Sequence, residues 1–306
     1  MKQKHITSIF SSRLAGWCLM LFCCIGFYTV TAQDSTDATA TVVKKIKPVK
    51  STFGSNWMLD NQTVMVPIKG SLEMDIQHRF GTVNNGYKDL YGIYAPSNIR
   101  IGFSYVVRNN LQFGFGFCKD RLQWDLNAKY AIVKQSTNGG WPVSITYFGN
   151  IAIDTRAKEN FVASGDRISY FNQVLIARKI SSKFSVQVAP SISHYNNITG
   201  YADENGKIHP SMKNDHFAVA LMGRYKISAK TALLVNYDQP LTQHPMNNPH
   251  PNLSFGIEMV TSSHQFQVFA GNYQGIVPQS NNFYNQNDYT KGQFCIGFNI
   301  TRLWNF

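Results

Sequence analysis

Acidic and basic side chains recur at every second residue in the two runs whose chemistry stands out first. In 71–80 (SLEMDIQHRF), Glu73, Asp75, Gln77 and Arg79 share one face, opposite Leu72, Met74, Ile76, His78 and Phe80. In 98–108 (NIRIGFSYVVR), Asn98, Arg100, Gly102, Ser104 and Arg108 lie opposite Ile99, Ile101, Phe103, Tyr105 and Val107. A strand sends successive side chains to opposite faces in this way. Carboxylates and guanidinium groups on neighbouring strands either form an ion-pair lattice that stiffens a wall or contact a solute moving past it. Asp125, Lys129, Arg224 and Glu258 continue the charged face in later runs, so Glu73, Asp75, Arg79, Arg100 and these four are the candidates for lining an enclosed interior.

Other chemistry finds little support. Beyond residue 32 the histidines stand at 78, 194, 209, 216, 244, 250 and 264, with no spacing typical of a metal site. His244 and His250 fall in a Pro/Asn segment (LTQHPMNNPHP) that offers either a loose metal site or a solvated loop. A hydrolase needs Ser, His and an orienting residue together, but Ser193-His194 and Ser263-His264 are sequence neighbours and point to opposite sides of a strand. No G-x-S-x-G elbow occurs. The expectation is no enzyme, no cofactor, no metal and no nucleic-acid partner. The dense tyrosines of 87–105 suit sugar stacking or, more plainly, loop packing.

Period-two alternation predicts twelve strands: 71–80, 98–108, 111–118, 122–134, 142–154, 167–179, 184–195, 215–227, 231–239, 252–261, 264–274 and 291–306. Most have about the 9–11 residues of a tilted membrane strand. In 111–118, Phe113, Phe115 and Phe117 alternate with Gly114, Gly116 and Cys118. Run 167–179 alternates poorly, and Pro190 removes a ladder bond, so a bulge or local break is expected in 184–195. Connections 81–97, 155–166, 196–214, 240–251 and 275–290 are long, whereas 109–110, 180–183, 228–230 and 262–263 are short. That alternation fits long outer loops and short periplasmic turns; the tight turn near Lys119–Arg121 is the exception. An even strand count returns both ends of the barrel to one side.

The front of the chain has the order of a secretory signal peptide. Lys2, Lys4 and Arg13 precede an apolar run from Leu14 to Val30, and Val30-Thr31-Ala32 offers a cleavage site near Ala32. Cys18, Cys23 and Cys24 would leave with it. A lipid-modified cysteine needs a small residue before it, but Trp17, Phe22 and Cys23 stand there, which argues against a lipoprotein. Residues 33–50 are polar, small and basic, a flexible periplasmic lead-in. Segment 51–70 holds Phe53, Trp57 and Met58 before Pro67, and is a plug, a periplasmic flap or an extra strand. The barrel itself is placed at 71–306. Cys118 and Cys295 fall on strands three places apart, roughly 14 Å at ~4.8 Å per strand, too far for a disulfide.

Energetics choose which face meets what. Charged residues make up only 15% of the chain and aromatics 13%, a balance suited to a lipid-facing wall. With the polar face in lipid, each basic residue at membrane depth costs ~2–4 kcal/mol. The charged face must therefore look inward. An outer face of Leu72, Met74, Ile76, Ile99, Ile101 and Phe103 is too large an apolar patch for a soluble monomer. Lipid wins. Trp124, Tyr105, Tyr225, Tyr237 and Trp304 fall near strand ends, where aromatic girdles belong. Less Lys2, Lys4 and Arg13, 26 basic residues face 17 acidic ones, and the long loops are nearly neutral. The surplus either biases the lumen toward anionic solutes or touches lipid phosphates at the interfaces.

In 291–306, Phe294, Ile296, Phe298, Ile300, Trp304 and Phe306 form an apolar set opposite Gln293, Cys295, Gly297, Asn299 and Thr301. A last amphipathic strand ending in Phe resembles the insertion signal read by the barrel-assembly machinery of bacterial outer membranes, with Trp304 and Phe306 as its aromatic end. The run STFGSNWMLDNQTVMVPIKGSLEMDIQHRFGTVNNGYKDLYGIYAPSNIRIGFSYVVRNNLQFG resembles the N-terminal half of a Bacteroidota family described as a membrane-bound β-barrel of unknown function. The likeness runs from about Lys47 to the end and implies an outer-membrane barrel, without catalytic residues to transfer. The expectation is all-β: one antiparallel up-and-down transmembrane barrel of about twelve strands. It would pass a small polar, anionic or neutral, solute; alternatively it is a structural or interaction protein of the envelope with a plugged lumen. Lipid of the outer membrane is the expected surroundings in either case.

Overall fold

A computed structural model describes residues 47–137 and 139–306. The expected signal peptide and residues 33–46 of the lead-in lie outside the described residues. A short hairpin comes first, β1 (Trp57–Met58) and β2 (Asn61–Gln62). The long strands follow: β3 (Ser71–Thr82), β4 (Asn98–Arg108), β5 (Leu111–Cys118), β6 (Gln123–Val133), β7 (Ser144–Asp154), β8 (Ile168–Lys179) and β9 (Phe184–Tyr195). A loop hairpin, β10 (Gly200–Ala202) and β11 (Ile208–Pro210), separates these from β12 (Asp215–Lys226), β13 (Thr231–Pro240), β14 (Asn252–Val260), β15 (His264–Gly271) and β16 (Cys295–Asn305). One short helix, α1 (Pro278–Tyr284), lies between β15 and β16.

Twelve strands, β3 to β9 and β12 to β16, close into an antiparallel barrel, with β16 pairing to β3. All twelve sit where alternation placed them, within a few residues. The last strand starts later than expected because Gly292 turns the chain at a left-handed φ of 70°. β15 ends early because Asn272 Nδ2 donates to the carbonyls of Pro251 and Asn287 and holds the departing chain. Pro190 produces a break, not a bulge. Its pairing to Val219 is regular, while the ladder to β8 passes from Gln173↔Ser191 to Ile176↔Val188 in the same register with the two pairs between them missing.

The outward face is apolar: Phe113, Phe115, Phe117, Leu126, Ile151, Leu221 and Leu233 are exposed. No described helix is long and apolar enough to cross a membrane; the crossing is made by strands. The inward face is covered over its whole height, from Gln112 and Ser185 near the short turns, through Asn236, to Gln123 and Asn252 near the long loops.

The inner wall is not uniformly polar, and here the alternation rule misled. Phe148, Phe171, Leu175, Ala177, Ala189, Ala220, Met222 and Leu234 point inward and are buried against Phe53, Met58, Leu59 and Val64. The poor alternation of 167–179 is the signature of this patch, because Phe171, Leu175 and Ala177 stand on the inner face. Connection 275–290, expected as an outer loop, also turns inward: Pro278 to Phe283 of α1 are all buried.

Candidate functional site: a filled lumen

The hairpin enters from the short-turn side. Residues 47–50 run beside the β6–β7 turn, with Val49 N–H donating to Gln135 O and Thr137 N–H to Lys47 O. Gly54 then passes so close to the wall that a Cβ there would stand 2.7 Å from Glu258 Oε1. The tip, Leu59-Asp60, needs a left-handed residue to reverse the chain in two residues, and Leu59 takes that conformation at φ 60°. A non-glycine residue held there costs about 1–2 kcal/mol. The complete burial of its side chain in the apolar patch offsets that cost.

Wall side chains hold the hairpin by its main chain. Asn299 Nδ2 and Arg79 Nη2 donate to Leu59 O at 2.7 and 3.3 Å, and Gln267 accepts from Leu59 N–H at 2.9 Å. Gln187 donates to Gln62 O at 2.8 Å and accepts from Val64 N–H at 3.0 Å; Thr146 Oγ1 donates to Val64 O at 3.1 Å. Lys129 Nζ donates to Gln62 Oε1 at 2.7 Å, Asn56 Oδ1 at 3.1 Å and Thr63 O at 3.3 Å. These long amide and ammonium arms supply, deep inside the barrel, the partners that buried backbone groups require.

The eight charged candidates are all buried on the inner side, but only five of them gather, in two clusters rather than one lattice. Arg100 grips Asp125 with two bonds, at 2.8 and 2.9 Å, and Asp75 with a third at 2.8 Å. Gly102 and Gly116 leave the floor open for it, since a Cβ at either would overlap the guanidinium. The Trp57 ring of the hairpin lies 5.5 Å from the guanidinium carbon. Arg224 and Glu258 pair on the opposite wall. Glu73 and Arg79 stand outside both clusters, Arg79 lying over the Phe269 ring at 4.6 Å. Sequence alone did not single out Asp60, Asp238, Asn236 or Asn281. Asp60 accepts from Asn236 Nδ2 at 2.9 Å and Asn281 Nδ2 at 2.8 Å, and Asp238 from Asn61 Nδ2 at 3.0 Å.

Of the two expected places for the basic surplus, the lumen does not hold it. Among the described residues the buried charged side chains include four bases, Arg79, Arg100, Lys129 and Arg224, against seven acids. Exposed bases such as Lys50, Lys69, Arg108, Lys183 and Lys230 ring the short-turn end instead. Cys118 and Cys295 are buried, inward-facing free thiols.

At the long-loop end α1 closes the barrel from above. Phe283 packs on the His216 and His244 rings, whose Nδ1 and Nε2 atoms are 2.9 Å apart. His244 Nδ1 accepts from Lys213 N–H at 2.9 Å, which fixes its neutral tautomer with the proton on Nε2. Burial, then the nearby Lys213 charge, holds this imidazole below its ordinary value. No group of three or more His, Cys, Asp or Glu that would hold a metal occurs among the described residues. Two adjoining cavities of about 500 and 570 Å³ remain above α1, sharing Arg121, Tyr284 and Gln286.

No curated protein matches the sequence. Solved structures similar to the chain include the NanC porin, at 9% identity and TM-score 0.46, covering 77% of this chain and 99% of that one. An outer membrane channel from Pseudomonas putida F1 aligns at 12% identity and TM-score 0.47 over 78% and 97%. The KdgM porin aligns at 9% identity and TM-score 0.40 over 77% and 99%. The family profile described as membrane bound beta barrel domain (DUF5777) matches residues 53–304, hairpin as well as barrel, and the chain belongs to that family.

Proposed function

We propose that this outer-membrane barrel is closed at rest, and that small polar solutes pass only when segment 51–66 leaves the lumen as a plug. The observation that carries the reading is the match between hairpin and wall. Six apolar side chains, Phe53, Trp57, Met58, Leu59, Val64 and Val66, are buried inside the barrel, each contributing about 1.5–3 kcal/mol. The hairpin's main-chain groups meet Gln, Asn, Thr, Lys and Arg side chains of the wall. Such a set favours a stable stopper over a freely diffusing pore. The short-turn end, with the plug's entry, faces the periplasm in this reading. Trp304 and Phe306 serve the assembly machinery; Phe306 is exposed and the strand it follows closes the barrel against β3.

The test is conductance in planar bilayers. The full mature chain should insert without steady current, and a chain lacking residues 33–70, with 278–284 replaced by a Gly-Ser loop so that α1 no longer covers the long-loop end, should conduct. Equal, steady conductance from both would remove the plug; silence from both, with the truncated barrel verified as folded, would favour a purely structural or interaction role.

A further inference from the structure

The larger vestibule cavity, about 570 Å³, falls within the range that holds small ligands. Two of its guanidinium groups are presented in an unusual way. Arg121 and Leu122 adopt left-handed φ values of 54° and 49° in succession, each costing about 1–3 kcal/mol in a non-glycine residue. That strained turn, the short connection between β5 and β6, lays Arg121 over the Tyr284 ring of α1, 4.2 Å from its centroid. Arg167 lies over the Phe161 ring at 4.6 Å. Among the described residues neither takes part in a salt bridge.

The acids of the same cavity are already engaged. Asp154 is paired with Arg156 at 2.7 Å, and Asp166 Oδ2 accepts the Val162 and Ala163 N–H groups at 3.1 and 2.8 Å. A ring-stacked guanidinium keeps its N–H edge free, and that edge matches a carboxylate bidentately. The rest of the lining is rich in amides and hydroxyls, Asn197, Thr199 and Gln286 among them, which suit hydroxyl groups better than an apolar body.

We propose that this loop-side vestibule binds a small polyhydroxylated anion, a sugar bearing a carboxylate, with Arg121 and Arg167 as its anchors. The site is independent of whether the lumen opens.

Titration calorimetry of the full mature chain in detergent with D-glucuronate tests it, with D-glucose and acetate as probes lacking one half of the ligand. Glucuronate should bind at least tenfold more tightly than either. Arg121→Ala and Arg167→Ala should each weaken it at least tenfold, and Arg121→Lys less, since charge survives without the planar edge. Heat-dependent gel mobility checks that each variant is folded, and Arg167→Ala stands alone if the strained turn does not tolerate substitution. No binding of glucuronate, equal binding of glucose or acetate, or unaltered binding in a folded arginine variant overturns the assignment. Conductance plays no part in this measurement, so its outcome is separate from that of the plug.

Discussion

Asn281 Nδ2 donates to Asp60 Oδ2 at 2.8 Å, so the helix that enters the barrel from the long-loop end touches the tip of the hairpin that enters from the other. Among the described residues this is the hydrogen bond that joins the two inserts deep in the lumen. Asp60 is otherwise bound to the wall by Asn236 at 2.9 Å. Leaving a buried partner of such a bond unsatisfied costs about 1–3 kcal/mol, enough to tie the movement of one insert to that of the other.

Asn281→Ala should therefore loosen the hairpin although the substitution lies on the far insert. Hydrogen exchange at Leu59 and Gln62 should quicken by roughly tenfold or more, since 1.4 kcal/mol is a factor of ten. A double-mutant cycle with Asp60→Asn should return a coupling energy of order 1 kcal/mol; strictly additive effects would show that the inserts do not communicate.

Gly54 offers a cleaner way to unseat the plug. Its place against Glu258 leaves no room for a side chain, and Glu258 is held by Arg224 and Gln265. Gly54→Val should cost about 1–3 kcal/mol of overpacking and raise the frequency of current steps in bilayers. Gly54→Ala should do so less. A silent Gly54→Val barrel whose hairpin remains protected from protease would contradict the tight fit.

The strand plan was legible because lipid outside and a covered interior both act on a period of two. The filling was not. Phe171 and Leu175 break the alternation for partners far earlier in the chain, Met58 and Leu59 among them, and period counting sees only neighbours. Glycine was also misjudged: Gly102 and Gly116 looked like neutral members of a polar wall, yet their missing side chains make the bed for Arg100. The charge surplus was counted correctly but left between the lumen and the interfaces, because a count carries no information on which end of a strand a lysine occupies. Connection 275–290 looked like any other polar loop, since a segment that fills a polar lumen needs the same Asn, Gln and Ser as one that meets water.

Acid should loosen the loop-side cap. The His244 imidazole sits below its ordinary value of about 6.5, so it contributes stability in its neutral form. That contribution is complete above about pH 6.5 and is lost as the pH falls from there toward the folded-state value. Protonation abolishes the Nδ1 acceptor used by Lys213 N–H. Exchange of amides in 241–251 should rise between pH 7.5 and 5 beyond the intrinsic pH dependence. His244→Gln should flatten the response; an equal response in that variant would assign the effect elsewhere.

Arg100 separates a stiffening role from a solute-handling one. Three of its N–H groups are spent on Asp75 and Asp125 within the covered interior. Arg100→Met strands two carboxylates, and breaking a buried pair by removing one partner costs about 3–5 kcal/mol. The urea midpoint for the loss of heat-resistant gel mobility should drop sharply. Arg100→Lys should fall between, since an ammonium lacks the planar fork that reaches both acids. If the cluster only braces the wall, neutralising all three charges (Arg100→Met with Asp75→Asn and Asp125→Asn) should recover most of the lost stability, because a buried ion group replaced by neutral residues is often close to neutral in stability. The triple variant would also leave Trp57 without the cation beneath its ring, so a small increase in plug exchange should accompany the recovery. A triple variant that stays as unstable as Arg100→Met would mean that the cluster's geometry, rather than its charge balance, holds β3, β4 and β6 together.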